Sequence, residues 1–302
     1  NRDAIEAYKT LRERNKAEEW KYTPEQGGES DPVKVLMYAC QDQYKYTEHR
    51  WNNQAYEHVI ELKDKGYSVN DIVSLMYNCH EYVDNNTVDT KDNLFIEEKY
   101  QYAISLIEQG IDITNAGKIA NASMTMGKMT NPNADKMLEL YSLGSKDPVK
   151  DVSDCIDINN KTDKKVNDIA YERMKDVLSR GLETKLISEC RNKGEFSDRL
   201  YHLALDLQQR GFSSGDITLL MQSCHLTETN PDTKLQESVF QQNIYDHIKD
   251  LEDIGINQDN IIAVLRSCKY NNNFSEEAFS KISELHNKGY DDKGIAVLLK
   301  NS

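Results

Sequence analysis

Six cysteines and seven histidines are the side chains here best suited to chemistry, and they recur twice as a dipeptide, Cys79-His80 and Cys224-His225. A thiolate beside an imidazole is half of a zinc site. Neither dipeptide is accompanied by a CxxC or an HxxxH, and adjacent residues at a helix end point to different sides. The chain has no HExxH, no GxSxG and no Walker loop. Asp157, Asn159 and Asp168 imitate part of a calcium loop, but Lys161 and Thr162 stand where an oxygen ligand and the turn Gly belong. No metal, cofactor or catalytic residue is therefore expected, and the reading leans away from an enzyme. Sequons at Asn85, Asn121, Asn160 and Asn273 matter only in a secretory compartment.

The cysteines mark a repeat instead. Its clearest lines are GYSVNDIVSLMYNCH from Gly66, GFSSGDITLLMQSCH from Gly211, GINQDNIIAVLRSC from Gly255 and GYDDKGIAVLLKNS from Gly289. GIDITNAGKIANAS from Gly110 and GGESDPVKVLMYAC from Gly27 are weaker copies. In all six, thirteen positions lead from the Gly to Cys40, Cys79, Ser123, Cys224, Cys268 or Ser302. Degenerate copies surround Gly144 with Cys155 and Gly181 with Cys190. A thiol at a fixed repeat position reads as a small buried hydrophobe, and neighbouring copies should lie too far apart for disulfides.

Upstream of the Gly, an aromatic residue stands ten positions before it (Tyr56, Tyr100, Tyr201, Tyr245, Phe279) and Leu four before it (Leu62, Leu106, Leu207, Leu251, Leu285). This spacing predicts a helix A whose aromatic ring is buried with its hydroxyl at the surface. The Gly then reads as the left-handed residue of a Schellman motif. Ser68, Asp112, Ser213, Asn257 and Asp291 stand as N-caps of a helix B, whose apolar residues fall six, nine and ten after the Gly. A turn this short makes each copy an antiparallel αα-hairpin.

One hairpin cannot bury its apolar face alone, so the copies should stack. The expected fold is all-α: an α-solenoid-like array of about seven to eight αα-hairpin repeats with variable-length loops between them. Residues 1–26 read as an N-terminal capping helix and linker, 27–155 as a first block of repeats and 156–302 as a second. The blocks are related by an offset of 145 and are expected to pack as one continuous array. HEYVDNNTVDTKDN after Cys79 and HLTETNPDTKLQES after Cys224 read as solvated loops. The last helix B ends without a polar cap, which predicts either a fragment of a longer chain or self-association through that face.

The net charge is −14, with 37 basic residues facing 51 acidic ones, which disfavours a nucleic-acid partner. No run approaches the roughly 18 apolar residues of a membrane span, and no leader pattern is present. A soluble cytoplasmic protein is expected, in keeping with the unpaired thiols.

Function is expected on the helix B face turned away from the core, at positions four, eight and eleven after the Gly. Position eleven changes chemistry from copy to copy and gives the candidate partner-binding set Tyr38, Tyr77, Asn121, Gln222, Arg266 and Lys300. The expected function is a non-catalytic scaffold that binds a protein or peptide through these positions and the long connections. The alternatives are a single-stranded RNA-binding repeat protein, or the helical domain of a larger enzyme. From about residue 50 to 302 the aromatic, Leu, Gly, apolar rhythm resembles that of pentatricopeptide and tetratricopeptide repeats. The Gly-to-Gly spacing of 30 to 44 departs from the near-constant period of both, and no functional residue is carried over.

Overall fold

The computed structural model describes residues 2–85 and 90–300. It divides into two compact units, residues 1–141 with 146–149 and residues 142–145 with 150–302. The first holds helices Arg2–Glu18 and Pro32–Ala39, the pair Asn53–Asp64 and Val69–Asn78, the pair Glu97–Glu108 and Ile113–Ser123, and most of Ala134–Ser142. In the second, after Pro148–Asp154, come the pairs Asp168–Ser179 with Leu186–Glu189, Asp198–Gln209 with Ser214–Ser223, Gln242–Asp253 with Gln258–Ser267, and Glu276–Asn287 with Asp292–Lys300.

Local chemistry builds each pair as the sequence requires. Gly66, Gly110, Gly211, Gly255 and Gly289 have φ between +86° and +93°. The next residue donates back to the Leu carbonyl: Tyr67 to Leu62 at 3.1 Å, Ile111 to Leu106 at 3.1 Å, Phe212 to Leu207 at 3.2 Å, Ile256 to Leu251 at 3.0 Å and Tyr290 to Leu285 at 3.2 Å. That is the Schellman bond, which satisfies carbonyls that the helix end leaves free. Ser68, Asp112, Ser213, Asn257 and Asp291 then accept from the first-turn N–H groups of Asp71, Asn115, Asp216, Asp259 and Gly294. The core lies between helices A and B, with Leu62, Ile72, Leu75, Met76, Leu207, Ile217, Leu220 and Met221 fully buried.

The all-α, solenoid-like expectation is wrong in its connections. Twelve β-strands are present among the described residues, and every inter-repeat connection but one is a β-hairpin; the exception, Ile156 to Val166, is held by a single antiparallel bridge. The two segments expected to be solvated loops are the strands His80–Asn85 with Thr90–Phe95 and His225–Thr229 with Gln236–Phe240. The Asn85 side chain and residues 86–89 of the first of these, with its sequon, lie outside the described residues, as does Ser302. Four strands form one antiparallel sheet in the order Glu48–Trp51, Gln41–Tyr44, Thr90–Phe95, His80–Asn85, with Gln43 opposite Asn93 where the two hairpins meet.

A recurring hydrogen bond explains the hairpins. The N–H of the next helix A N-cap donates to the Cys carbonyl: Asn52 to Cys40 at 2.9 Å, and Ile96 to Cys79, Asn167 to Cys155, Ser197 to Cys190, Gln241 to Cys224 and Ser275 to Cys268 at 2.8 Å each. Ser123 accepts the equivalent bond from Thr130 at 2.9 Å. A connection whose two ends are held one hydrogen bond apart must run out and back, and pairing its arms satisfies their backbone groups. Four tips place both central residues in the left-handed region, at Lys45-Tyr46, Met126-Gly127, Lys193-Gly194 and Asn271-Asn272, as a type I′ turn demands.

Neighbouring repeats are joined by the second residue after the Cys. Asp42 accepts the Phe95 N–H at 2.8 Å, Glu81 that of Met126 at 2.9 Å, Asp157 that of Phe196 at 2.7 Å and Asn192 that of Phe240 at 3.1 Å. A second set joins successive helices A. His58 stacks on Tyr100 at 3.8 Å and meets Glu97 at 2.9 Å; His247 stacks on Phe279 at 3.7 Å and meets Glu276 at 2.8 Å. Arg173 takes the same place against Tyr201 and Asp198. Three of the helix A hydroxyls do not point to the surface as expected. Tyr201 donates to Asp176 and Tyr245 to Asp206 and the Leu203 carbonyl, in the preceding repeat, while the Tyr100 hydroxyl is buried.

Candidate functional site

The thiols are removed from chemistry by their surroundings. All six cysteines are free and buried. Burial pushes the thiols of Cys79, Cys155 and Cys224 up to about 12 and that of Cys268 up to about 11, and it raises Cys40 and Cys190 as well. A thiol this far above neutrality stays protonated and is a poor nucleophile or ligand.

The histidines of the two dipeptides close helix ends. Nδ1 of His80 donates to the Met76 carbonyl at 2.8 Å and Nδ1 of His225 to the Met221 carbonyl at 3.0 Å. The same repeat position carries Arg191, which donates to the Asp154 and Ile156 carbonyls, and Lys269, which donates to the Ser223 and His225 carbonyls. Cationic side chains at a helix C-terminus satisfy free carbonyls and complement the dipole there. Among the described residues no group of three His, Cys, Asp or Glu side chains is placed to hold a metal ion.

The six position-eleven residues are all exposed at the surface. Tyr38, Tyr77 and Asn121 lie in the first unit, and Gln222, Arg266 and Lys300 in the second. In the first unit helices Pro32–Ala39, Val69–Asn78 and Ile113–Ser123 lie side by side. The last two approach closely at Gly117, where an added Cβ would stand 3.2 Å from Leu75 Cδ1 and 3.4 Å from its Cα. Positions eight and eleven of the first of these helices, four, eight and eleven of the second and four of the third then share one groove of about 730 Å³, whose lining includes Val35, Tyr38, Asn70, Ser74, Tyr77 and Thr114. Tyr38 and Tyr77 are thus brought together. Burial holds the Tyr77 hydroxyl above its ordinary value, reinforced by Tyr22, Cys40, Tyr38 and Glu25 around it.

The other four candidates are placed differently. Asn121 accepts from the Lys99 ammonium at 2.9 Å, and Lys99, only 1% exposed, also meets Glu81 at 2.8 Å. That asparagine is committed to satisfying a buried charge. Arg266 donates to the Ser223 hydroxyl at 3.1 Å. Lys300 borders a separate cavity of about 780 Å³ with Leu299, Tyr270 and Phe274. Gln222 lies exposed on helix Ser214–Ser223.

Two participants were missed by sequence reasoning. The linker after helix Arg2–Glu18 forms part of the groove through Tyr22, Thr23 and Glu25. Asn70 holds it by both main-chain groups of one residue: the Thr23 N–H donates to Asn70 Oδ1 at 3.1 Å, and Asn70 Nδ2 donates to the Thr23 carbonyl at 2.8 Å. Upstream, the Trp20 ring is flanked by the Lys63 ammonium at 4.7 Å and the Arg14 guanidinium at 6.0 Å. Asn70 occupies position four of its repeat, so its side of the helix was legible; the linker that crosses it was not. A scan against protein-family models finds no match for this chain, and a comparison with curated proteins finds none either.

Proposed function

We propose that this chain is a non-catalytic repeat scaffold that binds a protein or peptide through the helix B faces of its repeats. The observation that carries the reading is the Asn70 clamp. A helix B side chain at position four holds a stretch of non-helical main chain by its N–H and C=O together, in a groove flanked by exposed Tyr38 and Tyr77. Main-chain hydrogen bonds with aromatic anchors beside them are a general means of holding extended peptides. The buried, neutral thiols support placing the scaffold in a reducing compartment, the cytoplasm. Among the described residues no helix is long and apolar enough to cross a membrane.

Selection from a displayed random dodecapeptide library against the intact chain tests the reading. Enriched peptides are expected to bind Tyr77→Ala, alone or with Arg266→Ala, at least tenfold more weakly, with the circular dichroism and unfolding midpoint of the variants unchanged. No enrichment, or enrichment indifferent to both substitutions, overturns it. A strongly salt-dependent affinity for single-stranded RNA would favour the nucleic-acid alternative.

A further inference from the structure

The groove of the first unit has a chemistry more specific than its shape. Three tyrosines line it, Tyr22 from the linker and Tyr38 and Tyr77 from successive helices B, and among the described residues its charged lining is Glu25, Glu29 and Asp71, without a Lys or Arg. Two of these carboxylates are already engaged. Glu29 accepts from the Asp31 N–H at 2.9 Å and lies 3.5 Å from Lys34, and Asp71 accepts from the Ser68 hydroxyl at 2.6 Å. Glu25, exposed beside the tyrosines, has no ion pair among the described residues. Aromatic faces carry negative quadrupole potential and attract alkylammonium groups, and an adjacent carboxylate adds Coulomb attraction. The protein already uses this attraction beside the groove, where Trp20 receives Lys63 and Arg14 just upstream in the same linker.

We propose that Tyr22, Tyr38, Tyr77 and Glu25 form a recognition pocket for the ammonium group of a lysine, free or methylated, carried by an extended peptide. The inference rests on the peptide-binding reading above and names the side chain that the site selects. The charge balance agrees: an acidic, tyrosine-lined groove with no Lys or Arg among its described lining residues complements a basic ligand. The Asn70 clamp fixes Thr23, and so sets where Tyr22 and Glu25 stand on either side of it.

The test titrates this chain, with its tyrosine rings isotopically labelled, against tetramethylammonium chloride at constant ionic strength. Neopentyl alcohol, the neutral molecule of similar shape, serves as the control. Saturable shifts of the Tyr38 and Tyr77 ring resonances are expected with the cation only. Tyr77→Phe keeps the ring face and should bind within about threefold of wild type, Tyr77→Leu at least tenfold more weakly, and Glu25→Gln several-fold more weakly. Equal shifts with neopentyl alcohol, or cation affinity unchanged in Tyr77→Leu, overturn the pocket. The peptide selection separates the two claims. Tyr77-dependent peptides that lack lysine, or whose affinity survives Lys→norleucine, leave the scaffold reading standing and overturn the lysine pocket. Tetramethylammonium binding without any enriched peptide overturns the peptide as occupant.

Discussion

Replacing Asp157 with alanine removes one carboxylate that serves two repeats of the second unit at once. Asp157 is 9% exposed; Oδ1 accepts the Phe196 N–H at 2.7 Å and Oδ2 accepts from the Asn167 amide at 2.7 Å. Asn167 in turn caps helix Asp168–Ser179 through its own Oδ1. The variant strands a backbone donor at the hairpin and frees the capping side chain. An unsatisfied buried donor costs about 1–3 kcal/mol, and water reaching the half-buried Asn167 recovers part of the second loss, so the expected destabilisation is about 2–4 kcal/mol. For a unit of this size that is a fall in Tm of roughly 5–12 °C. Urea unfolding of wild type, Asp157→Ala and Asp157→Asn, followed by circular dichroism at constant m, measures it. The amide keeps an acceptor for Phe196 but turns a donor toward Asn167, so Asp157→Asn should fall between the other two. An Asp157→Ala midpoint within about 0.5 kcal/mol of wild type, or an Asp157→Asn less stable than the alanine, would refute the argument that this carboxylate joins the repeats.

Gly211→Ala should cost about 1–2 kcal/mol in thermal unfolding, because φ is +91° while an added Cβ meets nothing within 4 Å; Gly211→Asn should cost less. Asn70→Ala removes both bonds to Thr23, about 1–2 kcal/mol, so trypsin should cut after the exposed Lys21 roughly five- to thirtyfold faster while global stability changes little. The Arg173 guanidinium, which binds Asp198 through two nitrogens, holds that carboxyl below its ordinary value of about 3.8 against an opposing effect of burial. A carboxyl lowered in the folded state stabilises above that ordinary value and loses the contribution as pH falls through its folded value. Arg173→Leu should therefore cost more at pH 6 than at pH 2.5, the difference being about 1 kcal/mol or less because Asp198 is partly exposed; a pH-independent cost would contradict it.

The helix pairs were legible because each rests on interactions within a few residues. Gly at the left-handed position, Leu four before it, a capping Ser, Asp or Asn just after, and apolar residues at six, nine and ten each write a local hydrogen bond or one helix face into the sequence. The exposure of Tyr38, Tyr77 and the other position-eleven residues follows from the same periodicity. The burial of the cysteines follows from their fixed place one residue past helix B.

The hairpins were not legible for an equally physical reason. Strands such as Arg191–Asn192 or Lys269–Tyr270 are two residues long, too short for any alternation of apolar and polar residues to register. What makes them strands is a bond between the Cys carbonyl and an N-cap N–H up to 17 residues later, together with acceptors such as Asp42 and Asp157 reaching across to the next repeat. The candidate site divides in the same way. Its helix B tyrosines came from spacing alone, whereas Tyr22, Glu25 and the Asn70 clamp arise only when the linker folds back, 47 residues apart in sequence, onto a helix that has not yet begun when the linker is read. Local periodicity determined which faces this protein buries and which it leaves open; long-range hydrogen bonding, which one sequence does not encode position by position, decided what lies across the open one.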